Sequence, residues 1–230
     1  MRLRFSSFKK ETDLAPIAES YLRRYDCEIY REVTMPRGGR ADLVGVAGPL
    51  VSAVELKLRL GLEVLAQASN HLEVVHFVWV AVPAFKPADR DVRKLLHEVA
   101  RWKGIGVLAC YAGDEYTPPR WNAEVEPRFN RRARVHETRR VLREEMKTVG
   151  VAGTARGGHF TDFKGTCMRL VEYIAAHPGC SMKDAVDNIR HHYSSSAVAR
   201  AHLARMIENG VIKGVRLEQD GKARRCWPVK

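Results

Sequence analysis

Two short apolar runs, Arg40–Val46 and Val51–Lys57, lie on either side of a turn at Ala47-Gly48-Pro49. That spacing confines the middle of the chain to a pair of adjacent strands joined by a turn. Segment 51–56 is rich in β-branched and apolar residues, as suits a buried strand. Three charged residues nevertheless sit in the pair: Asp42 in the first run, with Glu55 and Lys57 thirteen and fifteen positions later in the second. Alternate side chains of a strand share a face, so Glu55 and Lys57 project together with Val51 and Ala53. Burying such charges costs free energy unless something compensates them. A divalent cation held by Asp42 and Glu55, with Lys57 beside it, is one compensation; a surface ion pair between Glu55 and Lys57 is the bland alternative. Carboxylate donors suit Mg²⁺ or Mn²⁺, which keep several waters and accept phosphate oxygens. Such an ion polarises a phosphate and lowers the pKa of a bound water, and Lys57 would orient that water or offset developing charge.

A chain of 230 residues holds one large or two modest domains. It contains no uncharged apolar run of about 18 residues, so no membrane span is expected. The start, MRLRFSSFKKETD, lacks the apolar stretch of a secretory signal. Five scattered cysteines without a C-x-x-C argue for reduced thiols and a cytoplasmic protein, against a zinc ribbon or disulfide framework. The net charge of +12 is unevenly spread. Residues 1–127 are almost neutral (18 Lys/Arg against 17 Asp/Glu), whereas 128–147 carry 8 against 3 and 160–230 carry 12 against 7. The excess therefore lies outside the first domain, where an arm gripping duplex nucleic acid would need it.

Periodicity predicts a helix from Thr12-Asp13 through Tyr25, a strand over 27–35, and a turn at Pro36-Arg37-Gly38-Gly39 ahead of the two charged strands. A helix over 61–72 follows, with Leu62, Leu65, Ala66, Ser69 and Leu72 as its buried stripe and Glu63, Gln67 and His71 on a polar flank. Apolar strands at 76–82 and 105–111 bracket a helix over 89–102, and 124–129 supplies an edge strand. Strand and helix alternate as in an α/β sheet core flanked by helices. The reading divides the chain into a domain over 1–130, a basic helical connector and Gly-rich linker over 131–159, and a second domain over 160–230.

In the second domain, helices over 162–176, 181–189 and 195–208 precede strands at 211–217 and 223–229 with Asp220-Gly221 at the turn. Three helices and a hairpin give the order of a winged helix-turn-helix. Arg200 and Arg205 on the third helix, Lys222, Arg224 and Arg225 on the hairpin, and Arg131 and Arg132 in the connector are the candidate phosphate contacts. A small helical dimerisation domain is the alternative. No aromatic platform for single-stranded RNA stands out.

Over residues 12–111 the chain resembles the PD-(D/E)xK nuclease superfamily, which includes type II restriction enzymes and Holliday-junction resolvases. GRADLVGV, VELKLRLGLEVLAQASNHLE, WVAVP and GIGVLAC also look like an uncharacterised bacterial and phage group of such phosphodiesterases. The resemblance implies a restriction-endonuclease-like α/β core. It places the family's first acid on Asp42, its second on Glu55 and its lysine on Lys57, with Asp42 and Glu55 as ligands of Mg²⁺ or Mn²⁺. By the same likeness Gln67 would be the helix glutamine and Glu19 the first-helix acid that some members use. Arg40-Ala41 replaces the proline that commonly precedes the first acid. The function so implied is metal-dependent hydrolysis of DNA, with a homodimer where both strands are cut. A non-catalytic DNA-binding regulator or accessory phage protein on the same scaffold is the other reading.

Overall fold

The computed structural model describes residues 8–84, 90–148, 152–153, 161–220 and 223–229. The chain divides into two compact units, Met1–Phe160 and Thr161–Lys230.

The first unit is an α/β fold around a six-stranded mixed sheet. A single 3₁₀ turn, Glu11–Asp13, leads into α1 (Ala15–Arg23), and then β1 (Glu28–Thr34), β2 (Arg40–Ala47) and β3 (Leu50–Leu56) pair as an antiparallel meander. Helix α2 (Leu62–His71) carries the chain to β4 (Phe77–Pro83), and α3 (Arg90–Lys103) to β5 (Gly106–Tyr111); both crossovers make parallel pairs. The edge strand β6 (Arg120–Val125) returns antiparallel to β5. Each face of the sheet has its own core. Ile17, Ala18, Tyr21 and Leu22 of α1 pack on Leu43, Val54, Leu56, Trp79 and Leu108. On the opposite face Val64, Leu65 and Ala68 of α2, with Leu96 and Ala100 of α3, cover Val44, Ala53, Val78, Val80 and Val107.

Three expectations are corrected. The edge strand lies at 120–125 rather than 124–129, because Pro127 has no N–H to pair and Arg128 N–H turns to the Gly104 carbonyl. Helix α2 is rotated from its predicted stripe: Leu62 is 63% exposed, while Val64, Leu65, Ala68 and His71 are buried. The start of the predicted connector also belongs to the first unit. Helix α4 (Val135–Val141) is tied down by Thr138, whose hydroxyl donates to the Val74 carbonyl at 2.8 Å, and Met146 is buried in the core beneath α2 and α3. Most of the Gly-rich stretch 149–160 lies outside the described residues.

The second unit runs α5 (Asp162–Ala176), β7 (Cys180–Ser181), α6 (Met182–Asp187), α7 (Ser196–Glu208), β8 (Val215–Asp220) and β9 (Ala223–Pro228). Side chains of Thr161, Ser181 and Ser195 accept backbone N–H groups at the three helix starts. A core of Leu170, Ile174, Ala185, Val186, Ala199, Leu203, Ile207, Val215 and Cys226 closes against an antiparallel sheet of order β7-β9-β8. The two-residue strand β7 was not foreseen; it is too short to leave a periodic signal. No helix among the described residues is long and apolar enough to cross a membrane.

Trp79 on β4 lies directly across from Gly106 on β5, and a Cβ at residue 106 would come within 2.4 Å of the buried indole ring. Gly106→Ala should therefore destabilise the first unit by about 1–3 kcal/mol in denaturant unfolding, through overpacking; an unchanged midpoint would show that the ring yields freely.

Candidate active site

The site arises where β2 parts from β3. Their ladder runs from Ala47↔Leu50 to Leu43↔Val54 and goes no further. The next β3 donor that would face β2, the Leu56 N–H, is satisfied instead by the Asp42 carboxylate, 2.7 Å from its Oδ2. The other side of β2 also lacks one pair, without a change of register. Its pairing with β1 steps from Arg31↔Leu43 to Val33↔Ala41, and between them Glu32 takes a φ of 54°. A non-glycine residue in that left-handed region costs on the order of 1–3 kcal/mol and persists only where its surroundings hold it. The Glu32 carboxylate is fully buried, 2.8 Å from Arg40 Nε.

Asp42 and Glu55 are 6% and 5% exposed. Burial, and secondly the charge of Glu55, push the Asp42 carboxyl up to about 7, against the opposing pull of the Leu56 N–H and the Lys57 ammonium. Glu55 Oε1 lies 2.6 Å from His71 Nε2 on the last turn of α2. Lys57 follows the end of β3, its backbone N–H held by the Ala81 carbonyl and its ammonium donating to Glu11 Oε2 at 3.2 Å. Burial works to lower the affinity of Lys57 for its proton, but the neighbouring charges of Asp42, Glu11 and Glu55 prevail and raise it above the ordinary lysine value.

Two buried carboxylates side by side, with one oxygen of each already engaged, form a donor set that a small cation would relieve. Among the described residues no three His, Cys, Asp or Glu side chains converge as a metal-binding group. A cation here would therefore have two protein ligands, with water and substrate oxygens completing its shell. That is how Mg²⁺ is commonly held, by one or two carboxylates beside a phosphate. The residues fit that ion better than Zn²⁺, whose sites take three or four protein donors.

The structure thus brings Asp42, Glu55 and Lys57 into one electrostatic neighbourhood. It does not bring Glu19 or Gln67 into contact with them. Glu19 is buried in an ion pair: Arg31 donates to both its oxygens at 2.6 and 2.9 Å, and Arg23 donates at 2.7 Å. Its role is to fasten α1 to β1. Gln67 is exposed, and one turn later it is His71 that reaches the acids. Glu11, His71 and Glu32 were not assigned to the site from sequence. Only His71 left a signal there, as a polar residue on the helix that follows Lys57.

The predicted phosphate contacts fare unevenly. Arg131, Arg132 and Arg205 are exposed and Arg200 is half-buried. Arg224 is paired with Glu208 at 2.7 Å and Arg225 with Asp220 at 3.3 Å, so the hairpin is less positive than its sequence suggests. Lys222 lies outside the described residues.

The raised pKa of Asp42 fixes a sign. Between pH 3.8, its ordinary value, and about 7, the unfolded chain releases this proton while the folded chain keeps it. The metal-free protein should thus lose up to about 1.4 kcal/mol of stability per pH unit across that window and level off above it. Asp42→Asn should be spared the loss, so denaturant unfolding with chelator at pH 5 and 7.5 should show the variant gaining on the wild type. Parallel curves would refute the shift. Comparison of the chain with protein families, curated proteins and solved structures finds no match, so what the site does must be argued from its own geometry.

Proposed function

We propose that the chain is a divalent-metal-dependent nuclease of PD-(D/E)xK type that hydrolyses phosphodiester bonds in DNA. The observation that carries this reading is the pair of buried acids from adjacent strands, Asp42 and Glu55, within the field of the Lys57 ammonium. Packing requires no such trio at the end of a sheet, and phosphoryl hydrolysis uses each member.

The free oxygens of Asp42 and Glu55 would hold Mg²⁺ or Mn²⁺, which supplies a polarised phosphate and a more acidic water. Every other task falls to the chain. The Leu56 N–H fixes the Asp42 carboxylate, so the acid cannot turn away when a phosphate approaches. Lys57, held by Glu11 in the free protein, offers N–H donors to the attacking water or to a non-bridging phosphate oxygen, offsetting charge that grows during attack. Once Lys57 engages substrate, Glu11 keeps the ammonium aimed at the strand end.

The second unit supports DNA as substrate. Its order of helix, short strand, two helices and hairpin accords with a winged helix-turn-helix reading. Helix α7 would enter the groove with Arg205 outward and Arg200 at its flank, its small residues Ala197 and Ala201 permitting close approach. Cutting both strands would call for a homodimer, and a cytoplasmic site of action accords with the five free thiols. One observation favours the non-catalytic alternative: Glu55 and Lys57 already have protein partners, His71 and Glu11, as in a retired site.

Incubation of supercoiled plasmid with Mg²⁺ or Mn²⁺ separates the two. Nicking or linearisation by the wild type should fall about 100-fold or more in Asp42→Ala and in Lys57→Ala, while Glu19→Gln lowers thermal stability more than it lowers rate. Undiminished cleavage in the first two variants would remove the site. For the binding arm, Arg200→Ala with Arg205→Ala should weaken affinity for any duplex and reduce the slope of log K against log salt by about 2; an unaltered slope would place the phosphate contacts elsewhere.

A further inference from the structure

His71 is a buried polar group at this site whose presence neither packing nor the two-carboxylate metal reading explains. It closes α2, is 2% exposed, and sits among residues that would accept a leucine equally well: Val64, Leu65 and Ala68 of the same helix are all buried and apolar. Gly39 abuts it closely enough that a Cβ there would stand 3.9 Å from ring carbon Cε1. Nε2 lies 2.6 Å from Glu55 Oε1, whereas Nδ1 is buried with no hydrogen-bond partner among the described residues. A ring that donates Nε2–H to this carboxylate oxygen leaves Nδ1 as a lone acceptor with no donor to meet it. A buried ring with one orphaned nitrogen is destabilising by itself. Its return is the single contact it makes.

We propose that His71 is a positioning residue for Glu55. By donating Nε2–H to Oε1, it fixes the rotation of the carboxylate about its last bond and leaves Oε2 as the oxygen offered to a cation. Asp42 is treated alike by a different element, its Oδ2 occupied by the Leu56 N–H. Each acid thus presents one oxygen, and the rotational freedom that ion binding would otherwise have to freeze is already removed. The inference rests on the metal-dependent reading and adds to it a residue that touches neither ion nor substrate.

The test uses the full-length protein and Mn²⁺ alone, with free Mn²⁺ followed by electron paramagnetic resonance, and thermal unfolding recorded beside it. His71→Gln keeps a donor able to reach Glu55, and His71→Leu removes it. The Gln variant should bind Mn²⁺ within about threefold of wild type and the Leu variant about 10- to 100-fold more weakly. Equal Mn²⁺ affinity in all three, with only the unfolding temperature shifted, would mean that His71 is structural and would overturn the proposal while leaving the metal site standing. Absence of Mn²⁺ binding by the wild type, matching an Asp42→Ala control, would instead sink the metal reading and this inference with it. Should His71→Leu not fold, nitrogen-15 spectra of the wild-type imidazoles decide the matter. The Nε2–H tautomer should persist through a Mg²⁺ titration, and a switch to Nδ1–H would overturn the assignment.

Discussion

A hydrogen bond that a sheet would normally make between two backbones is made here by a side chain. Where β2 leaves β3, the Leu56 amide finds the Asp42 carboxylate rather than a carbonyl. A buried amide without a partner would be costly, so the gap between the strands can persist only because an acid fills it. In turn, the gap is what allows an acid to lie within the plane of the sheet beside Glu55. The left-handed Glu32 opposite Asp42 is the complementary distortion on the other flank, pinned by its pair with Arg40. One further step of the same register would set Asp42 across from Glu55.

Much of this was legible in the chain, for reasons that differ from element to element. Strands β2 to β5 follow from apolar runs whose burial outweighs any local preference, and the caps of α6 and α7 follow from serines acting over three positions. Asp42, Glu55 and Lys57 stood out because a charge in a buried strand needs a reason. What escaped was decided by contacts distant in sequence. Glu11 reaches Lys57 across 46 positions and His71 reaches Glu55 across 16; neither separation has a periodicity to betray it. The buried face of α2 was misjudged for the same reason, since its last turn is set by a polar contact that no hydrophobic stripe records. Glu19 enters the site only by family likeness, and its position in fact serves Arg31 on the neighbouring strand.

The charge pattern deserves a similar correction. The excess of positive residues beyond position 127 is real, but several of them are spent internally. Arg134 pairs with Glu73, Lys147 with Glu28 and Glu144, and Arg224 with Glu208. Exposed pairs of this kind contribute little to stability, and each lowers the field that a polyanion would feel. Exposed Arg131, Arg132 and Arg205 therefore count for more than the total of +12 suggests.

The order of the large sheet, β1 to β6 without a break, has a kinetic side. Every strand lies beside its predecessor in the chain, so no segment must wait for a distant one before it can dock. The entropy of closing each successive loop stays small, and architectures dominated by such near-neighbour joins assemble faster than those threaded from remote parts. Asp42 and Glu55 belong to the tightest of these joins, the meander turn between β2 and β3, so the two acids are brought close by one of the shortest loops in the sheet.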